Sequence, residues 1–545
     1  MIVAPNPALP SDSDDSEMLR RCENWLRRVA QQRNLCCILV MFAVIDLRLM
    51  LLLTRRFPVP SVHDEFSYLL NGDTFARGRL TNPPHPLSEF FETIHVNMRP
   101  TYASKYPPGQ GLFLALGSAV LGHPWLGVLL SVGLMCGLIC WAIQGWLPPI
   151  YGLYGGLFAS LIFGLRHYWV NSYWGGAVAA CGGAMVLGGL PRLLRRPNAS
   201  AAAWLACGIL VLANSRPYEG FIFVLAISLA FLWWVRRQGI SKFLRPAVTL
   251  PAFLILSAGT GAMAYYNFAV TGSPTTLPYT IAQQQYARSP VLWALPPLPP
   301  THKIYRDRFM QELWEWDAGF YVTARQNPVR VLVDFEHLAM ATMNHGAAAP
   351  LGVALLFALG YARVRKITVV LIILVAFSVG LCMEKTLLLH YAAPAIPAVI
   401  LLAMQGMRAL RLVSIRTVRP GLQLTGVVWM AAAAFTAFEF TTARPFVSSA
   451  ESHSALEARW NVERKLSREP GQHVVIVRYA PTHSFHEEIV YNGADIDAQK
   501  VVWAIDRGTS ENRRLVQYYL GRHIWLLQPD PPASSLTDYP RVASE

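Results

Sequence analysis

The chain has 545 residues, of which 53% are hydrophobic and only 15% charged, with a mean hydropathy of +0.32. That is too apolar and too poor in charge for a soluble protein of this length, so its solvent is a bilayer. The formal charge of +14 does not argue for nucleic acid, because the Arg and Lys residues cluster in short connections between apolar segments, where membrane topology calls for them.

Residues 1–34 are polar and are predicted to be a cytoplasmic segment. The first apolar run, about 35 to 54, has spanning length and no small-residue cleavage site, so it reads as a retained anchor. It follows Arg20, Arg21, Arg27, Arg28 and Arg33, a basic flank that stays inside and leaves the loop 55–108 outside. The next run, Gly109 to Gly122, would make a helix of roughly 21 Å against a hydrocarbon core of about 30 Å, so it reads as re-entrant or interfacial.

Spans then follow at about 124–146, 150–168, 174–191, 199–213, 219–235, 247–270, 349–362, 367–383, 391–410 and 421–441, giving about eleven in all. With Gly109 to Gly122 not spanning, Arg192, Arg195, Arg196, Arg236, Arg237, Lys242, Arg245, Arg363, Arg365, Lys366, Arg408, Arg411, Arg416 and Arg419 all fall inside, as the positive-inside rule requires. The external connection 271–348 is rich in proline and aromatic residues, which suits the interface. The expected fold is an all-α polytopic body over 35–443 and a small external α/β domain over 444–545. That domain would comprise a polar helical stretch, β-rich runs at His473 to Tyr479, Lys500 to Ile505 and His523 to Leu527, and a helix near Glu511 to Leu520. The eight cysteines, Cys22, Cys36, Cys37, Cys136, Cys140, Cys181, Cys207 and Cys382, avoid the external loops and the C-terminal region, so no disulfide framework is implied.

Chemistry-bearing residues gather in the first external loop. His63-Asp64-Glu65-Phe66-Ser67-Tyr68 follows the first span and sets two adjacent carboxylates near the membrane surface. Either could serve as a base for a hydroxyl nucleophile or hold a divalent cation, and solvated acids are the plainer alternative. His95, Arg99 and Lys105-Tyr106-Pro107-Pro108 come later in the same loop. Basic groups at that depth suit a phosphate, or snorkel to anionic headgroups. In the third external connection, Arg216 and Glu219 stand at helix ends, as an ion pair or with Arg216 contacting phosphate or sugar. Glu384 and Lys385 read as an interfacial pair before His390, itself a weaker phosphate candidate. His483, His486, Glu487 and Glu488 have a metal-like spacing with no supporting helix, and read as a surface loop.

An Asp-Glu pair after the first span, followed about forty residues later by Lys-Tyr-Pro-Pro opening a short apolar helix, resembles the GT-C glycosyltransferases of the protein O-mannosyltransferase and lipid A aminoarabinose transferase type. His390-Tyr391-Ala392-Ala393-Pro394, leading into a span with Pro397, is similar to that family's aromatic-plus-proline entry to a late helix. The resemblance covers about 35–412. It implies a polyprenyl-phosphate-sugar donor and a glycan, lipid or protein acceptor. It further implies that Asp64 is the catalytic or metal-associated acid, that Glu65 supports it, and that Lys105 meets the donor phosphate. By their positions rather than by the resemblance, Arg99, Arg216 and His390 are further phosphate-binding candidates, and His63, Tyr68, His95, Tyr106, His167, Asn171 and Glu219 are substrate-binding candidates.

The second external loop departs from that pattern. It reads Arg166, His167, Asn171, Ser172, Tyr173 before Trp174-Gly175-Gly176, with no acid where the superfamily often has one. A divalent cation shared between the loops is thereby placed in doubt, although His167 or Asn171 could contribute a ligand. A flippase or transporter is the alternative function, yet transporter sites sit mid-bilayer between repeats, whereas these charges lie in external loops and the chain has no evident internal repeat. The expected location is the inner (plasma) membrane, with the N-terminus cytoplasmic, the C-terminus periplasmic, and membrane lipids as neighbours.

Overall fold

A computed structural model describes residues 21, 24–53, 57–299, 303–343, 349–360, 365–413, 420–442, 454–530 and 534–540. Most of the N-terminal segment, Arg20, Cys22, Arg363, Arg416, Arg419 and the expected boundary at 444 lie outside them.

The membrane body runs α1 (Arg33–Leu52), α2 (His63–Ala76), α3 (Pro108–Leu121), α4 (Pro124–Trp146), α5 (Pro149–Phe163), a single turn α6 (Tyr168–Asn171), α7 (Ala177–Arg195), α8 (Ala199–Ala213), α9 (Pro217–Gln238) and α10 (Pro246–Thr271). Then come α11 (Pro278–Tyr286), α12 (Arg308–Gln326), α13 (Pro328–Met343), α14 (Ala349–Leu359), α15 (Arg365–Leu381), a 3₁₀ stretch Leu389–Ala395 that runs into α16 (Ile396–Arg411), and α17 (Pro420–Thr442). Each of the eleven apolar runs predicted to span is helical. Among the described residues six of these helices are long and apolar enough to cross a membrane, and several others are apolar but shorter. The chain is a multi-pass membrane protein.

Proline sets many of the starts. Pro108, Pro124, Pro149, Pro217 and Pro246 each open a helix, where the missing N–H costs nothing and the fixed φ is already helical. Gly122, at φ 83°, closes α3 in the left-handed conformation, which a side chain would resist. The short α3 packs against α2 and α4.

The connection 55–108 is more ordered than an open loop. It holds α2 and a small antiparallel hairpin, β1 (Val96–Asn97) with β2 (Ala103–Ser104). Asp64 and Glu65 therefore sit in the first turn of a helix. There the partial positive charge of the free N–H groups favours carboxylates, a signal masked in the sequence by the polar residues that follow.

The C-terminal region contributes α18 (Ser454–Leu466), α19 (Thr509–Tyr518) and a sheet of β3 (His473–Val477), β4 (Val501–Ile505), β5 (His523–Gln528) and β6 (Ser535–Asp538) in the order β4-β3-β5-β6. The first three strands are parallel, and β6, which the sequence pattern does not predict, pairs antiparallel with β5. Every residue of β3 and β4 is buried, as expected of strands covered on both faces. One face packs Val474, Ile476 and Val502 against Leu70, Phe90, Phe91 and Tyr102 of the first loop. The other packs Val475, Val477 and Trp503 with α18, Phe66, Ile94, Phe309 and Trp314. The sheet thus builds its core jointly with the connections 55–108 and 271–348, which fixes it over the end of the bundle where Asp64 lies.

Candidate active site

Asp64 is the centre. Its carboxylate accepts a hydrogen bond from the Tyr106 hydroxyl, lies 3.0 Å from Nδ1 of His63 and 3.6 Å from Nε2 of His95. The local fold makes this convergence. Ser67, one turn along α2, donates to the His95 carbonyl at 2.6 Å and shares a 2.7 Å hydrogen bond with Ser104 of β2. The Lys105 N–H also bonds the His95 carbonyl, at 3.1 Å. His95 itself has a φ of 64°, a left-handed backbone that costs a non-glycine residue of order 1 kcal/mol or more. The hairpin is thereby pinned to the helix start, and His95, Lys105 and Tyr106 arrive together at Asp64. Tyr68 completes the wall, stacked on Tyr106 at 4.3 Å.

The electrostatics give Asp64 a defined state. Burial works against its charge, but His95, His63 and Lys105 outweigh it and hold the carboxyl well below the usual range. Burial pushes His95 down, with Lys105 adding to the effect and the Asp64 carboxylate opposing it. The Tyr106 phenol is pushed up by burial and by Asp64 and stays a donor. Asp64 is an ionised acceptor of the Tyr106 hydroxyl, with the Lys105 ammonium nearby.

Glu65 points elsewhere. One oxygen accepts the Ser61 N–H at 3.0 Å, and the other accepts the Tyr173 N–H at 2.8 Å. Burial pushes this carboxyl up to about 7, and one oxygen is occupied by Ser61 of its own loop while the other ties in the loop at Tyr173.

Basic groups line the neighbouring space. Lys105, 6% exposed, lies 5.1 Å from the ring centres of both Tyr106 and Tyr279. Burial brings its ammonium down to about 8, and Asp64, Asp317, Lys385 and Arg216 are within electrostatic reach. Arg216 stands at the start of α9, 5.0 Å from the Tyr391 ring and 3.5 Å from Glu219. His390 hydrogen-bonds the Tyr168 hydroxyl at 3.1 Å and lies 5.0 Å from Trp174. A side chain on Gly183 would come within 2.0 Å of the Pro394 carbonyl, so this glycine is what allows the 389–395 stretch to seat His390 and Tyr391 against α7.

Three residues with expected substrate or phosphate roles lie outside this cluster or are committed to the fold. Arg99 is exposed at the hairpin turn. His167 caps α6 by accepting the Trp169 N–H. Asn171 accepts a 2.6 Å hydrogen bond from Arg48 of α1 and donates to the Leu165 and His167 carbonyls.

Among the described residues, His63, Asp64 and His95 form the one group able to hold a metal ion, with ligand atoms within 4.8 Å of one another. Two imidazoles and a carboxylate are a donor set for a divalent transition metal with open positions. His63 Nδ1 and His95 Nδ1 are buried without a hydrogen-bond partner, which fits such a group.

No family model matches the chain, and no curated protein matches it. Solved structures do align. The oligosaccharyltransferase of Archaeoglobus fulgidus in the apo form covers 81% of this chain at 11% identity and a TM-score of 0.46, and the chain spans 62% of that enzyme's length. Archaeal oligosaccharyltransferase AglB from Archaeoglobus fulgidus, in complex with an inhibitory peptide and a dolichol-phosphate, aligns over 90% of this chain and 69% of its own, with 10% identity and a TM-score of 0.48. ArnT from Cupriavidus metallidurans bound to undecaprenyl phosphate aligns over 90% of this chain and 91% of its own, with 14% identity and a TM-score of 0.45. These are GT-C glycosyltransferases. The sequence resembles the same superfamily.

Several residues of the site are not evident from the sequence. Lys385 is not paired with Glu384 in an interfacial ion pair: it bonds Asp317 of α12 and Ser289, the latter at 2.9 Å, and both Glu384 and Lys385 are buried. Tyr279 opens α11 beside Lys105. The four C-terminal candidates diverge: His483 pairs with Asp530 at 2.7 Å, Glu487 accepts the Ala455 N–H at 3.1 Å, Glu488 accepts the Tyr479 hydroxyl at 2.8 Å, and the His486 ring stacks 6.2 Å from His63. Only His486 reaches the site. A histidine in the loop Thr482 to Glu488 gives no hint of that, because the contact is made across more than four hundred residues.

Proposed function

We propose that this protein is a membrane glycosyltransferase that moves a sugar from a polyprenyl-phosphate-linked donor to an acceptor hydroxyl at the outer face of the membrane. The observation that carries this reading is a half-buried, ionised Asp64 in the first turn of α2, beside the ammonium of Lys105, just before α3, which makes no hydrogen bond or ion pair among the described residues. A carboxylate of that kind takes a proton, and a cation of that kind receives a phosphate.

In the step proposed, the acceptor oxygen attacks the anomeric carbon and its proton passes to Asp64. The bond from that carbon to the phosphate oxygen breaks, and the electron pair leaves on the phosphate. Lys105 and Arg216 face the charge that grows there and so stabilise the transition state more than the ground state. Tyr106 holds the Asp64 carboxylate by a hydrogen bond, with the His63 and His95 rings beside it. A divalent cation fits His63, Asp64 and His95, and when bound it would lower the pKa of an oxygen ligand and draw negative charge towards the site. The acceptor would enter beneath the C-terminal sheet, whose His486 stacks on His63. In this reading the site end of the bundle is periplasmic, the other end is cytoplasmic, and the chain resides in the inner membrane. A flippase is disfavoured because the cluster sits at one end of the helices rather than at their midpoints.

The test is sugar transfer from a radiolabelled polyprenyl-phosphate sugar by purified protein. Asp64→Asn keeps the shape and removes the proton acceptor, so transfer is expected to fall about a hundredfold or more, whereas Glu65→Gln, which retains acceptor and packing functions, loses less. Wild-type rates in Asp64→Asn, or wild-type protein that leaves the glycosidic bond intact while moving lipid, would overturn the proposal.

A further inference from the structure

At the N-terminal end of α1, whose 20 residues span about 30 Å, away from the end that leads to Asp64, lies a cavity of about 910 Å³ between α1, α4, α7 and α8. It is lined by Arg33, Arg192, Arg195 and Arg196, with no acidic residue among its described lining. Its wall towards the bilayer interior is apolar, including Ile38 and Leu138, and Ile38 is 49% exposed, so the cavity opens sideways to lipid.

The arginine end is built rather than merely exposed. Arg192 stacks over Trp141 at 3.9 Å and is held by hydrogen bonds to the Gly188 and Trp141 carbonyls at 2.7 and 2.8 Å. A side chain on Gly145 would come within 2.6 Å of its Nη1 atom, so the glycine makes the room that the guanidinium fills. Trp204 meets Trp141 at 4.8 Å, which places two indoles at the boundary between the basic end and the apolar wall, where amphipathic rings settle. Arg195 is tied to the Gly145 carbonyl, whereas Arg33 and Arg196 are exposed at the rim. Topology alone asks only for positive charge at this end; it does not ask for a lipid-facing cavity with an indole ledge beneath it.

We infer that this cavity is a binding site for an anionic glycerophospholipid, with its phosphate among the arginines, its glycerol level with Trp141 and Trp204, and an acyl chain along Ile38 and Leu138. The charges match: four guanidiniums and no carboxylate meet a phosphodiester, and the cavity lies within the range of roughly 300–1,000 Å³ found for ligand sites. The site is separate from the Asp64 cluster and holds structural lipid, not substrate.

Native mass spectrometry of the full-length protein, with phosphatidylglycerol or phosphatidylcholine added to detergent, tests this. The wild type is expected to retain one phosphatidylglycerol in preference to phosphatidylcholine. Arg33→Gln with Arg196→Gln removes two rim charges without touching the tethered pair, and should weaken that retention about twenty-five-fold, at about fivefold for each charge. Trp204→Ala should weaken it without abolishing the preference for the anionic lipid. Equal retention of both lipids, or retention unchanged in the double variant, overturns the inference. So does displacement by millimolar inorganic phosphate or glycerol phosphate, which would make this a free-phosphate site. The acidic stretch Asp12, Asp14, Asp15, Glu17 is the rival occupant: if phosphatidylglycerol is retained only after residues 2–18 are removed, the cavity belongs to that stretch and the lipid assignment fails.

Discussion

The Tyr106 hydroxyl donates to Oδ1 of Asp64, tying the residue after Lys105 to the carboxylate 42 positions earlier. A hydrogen bond to a charged acceptor is worth about 1.5–3 kcal/mol, and here it favours the ionised form. Tyr106→Phe keeps the stack on Tyr68 and removes only the donor, so the Asp64 carboxyl should rise and lose its charge at a higher pH. The expected result is a fall of roughly ten- to a hundredfold in kcat/KM, with the acid limb of the pH profile displaced upward. An unchanged limb would mean that the contact does not tune Asp64.

Arg507 joins the C-terminal sheet to the long external connection. It forms a two-pronged pair with Asp307 at 2.6 and 2.8 Å and also bonds the Glu89 carbonyl, and both partners in the pair are 9% exposed. Arg507→Leu leaves Asp307 buried without its partner, which typically costs about 3–5 kcal/mol. Limited proteolysis should then cut within 454–530 under conditions that leave the wild type intact, and transfer activity should fall with it, because the sheet covers the site. Resistance equal to the wild type would show that the apolar contacts alone hold the sheet.

These two relationships mark the limit of what the sequence makes legible. Each apolar run predicted to span is helical because spanning length and composition are local properties, and Pro108, Pro124 and Pro217 punctuate them. Asp64 and Lys105 stand out in the sequence for the same reason: each is a charge beside a membrane helix. The outcome for Glu65 was not local. Adjacent residues in an extended segment face opposite ways, but here the pair lies in a helix start, and what separates their roles is the Tyr173 N–H, 108 positions away. Asp317, Tyr279 and His486 have ordinary neighbours in sequence and gain their place only when the two long connections, 55–108 and 271–348, and the sheet share one core. The 150–168 and 174–191 runs end and begin inside their expected limits, at Phe163 and Ala177, because Asn171 and Trp174-Gly175-Gly176 form a connection braced by Arg48 and Glu65.

Glu488 supplies a pH test of that shared core. Burial pushes its carboxyl up to about 8, despite bonds from the Val490 N–H and the Tyr479 hydroxyl. A carboxyl with a raised folded pKa contributes its full stability below the unfolded value of about 4.5 and loses it as pH rises towards 8, by about 1.4 kcal/mol per pH unit. The melting temperature of the purified protein should therefore decline from pH 5 to pH 8 and then level off in this contribution. Glu488→Gln, which cannot titrate, should flatten the slope; an equal slope in both proteins would place the titrating group elsewhere.

Lys105 offers the sharpest test of the phosphate role, because its ammonium is held down to about 8 by burial while Asp64, Asp317, Lys385 and Arg216 surround it. A lysine lowered in this way is charged below pH 8 and neutral above it, so kcat/KM, which reports the free enzyme, should fall as pH rises through about 8. Once the donor is bound, its phosphate favours the ammonium and raises its pKa. The same limb in kcat, which reports the complex, should then lie at a higher pH than the limb in kcat/KM. Arg216 cannot produce this limb, since a guanidinium stays charged throughout the range. Lys105→Met keeps much of the apolar stem and should lose both donor affinity and the limb. Lys105→Arg keeps a charge and should also lose the limb, at a reduced rate, because the planar fork replaces a compact ammonium between Tyr106 and Tyr279. If the limb persists in Lys105→Met, or lies at the same pH in kcat and in kcat/KM, Lys105 does not meet the donor phosphate.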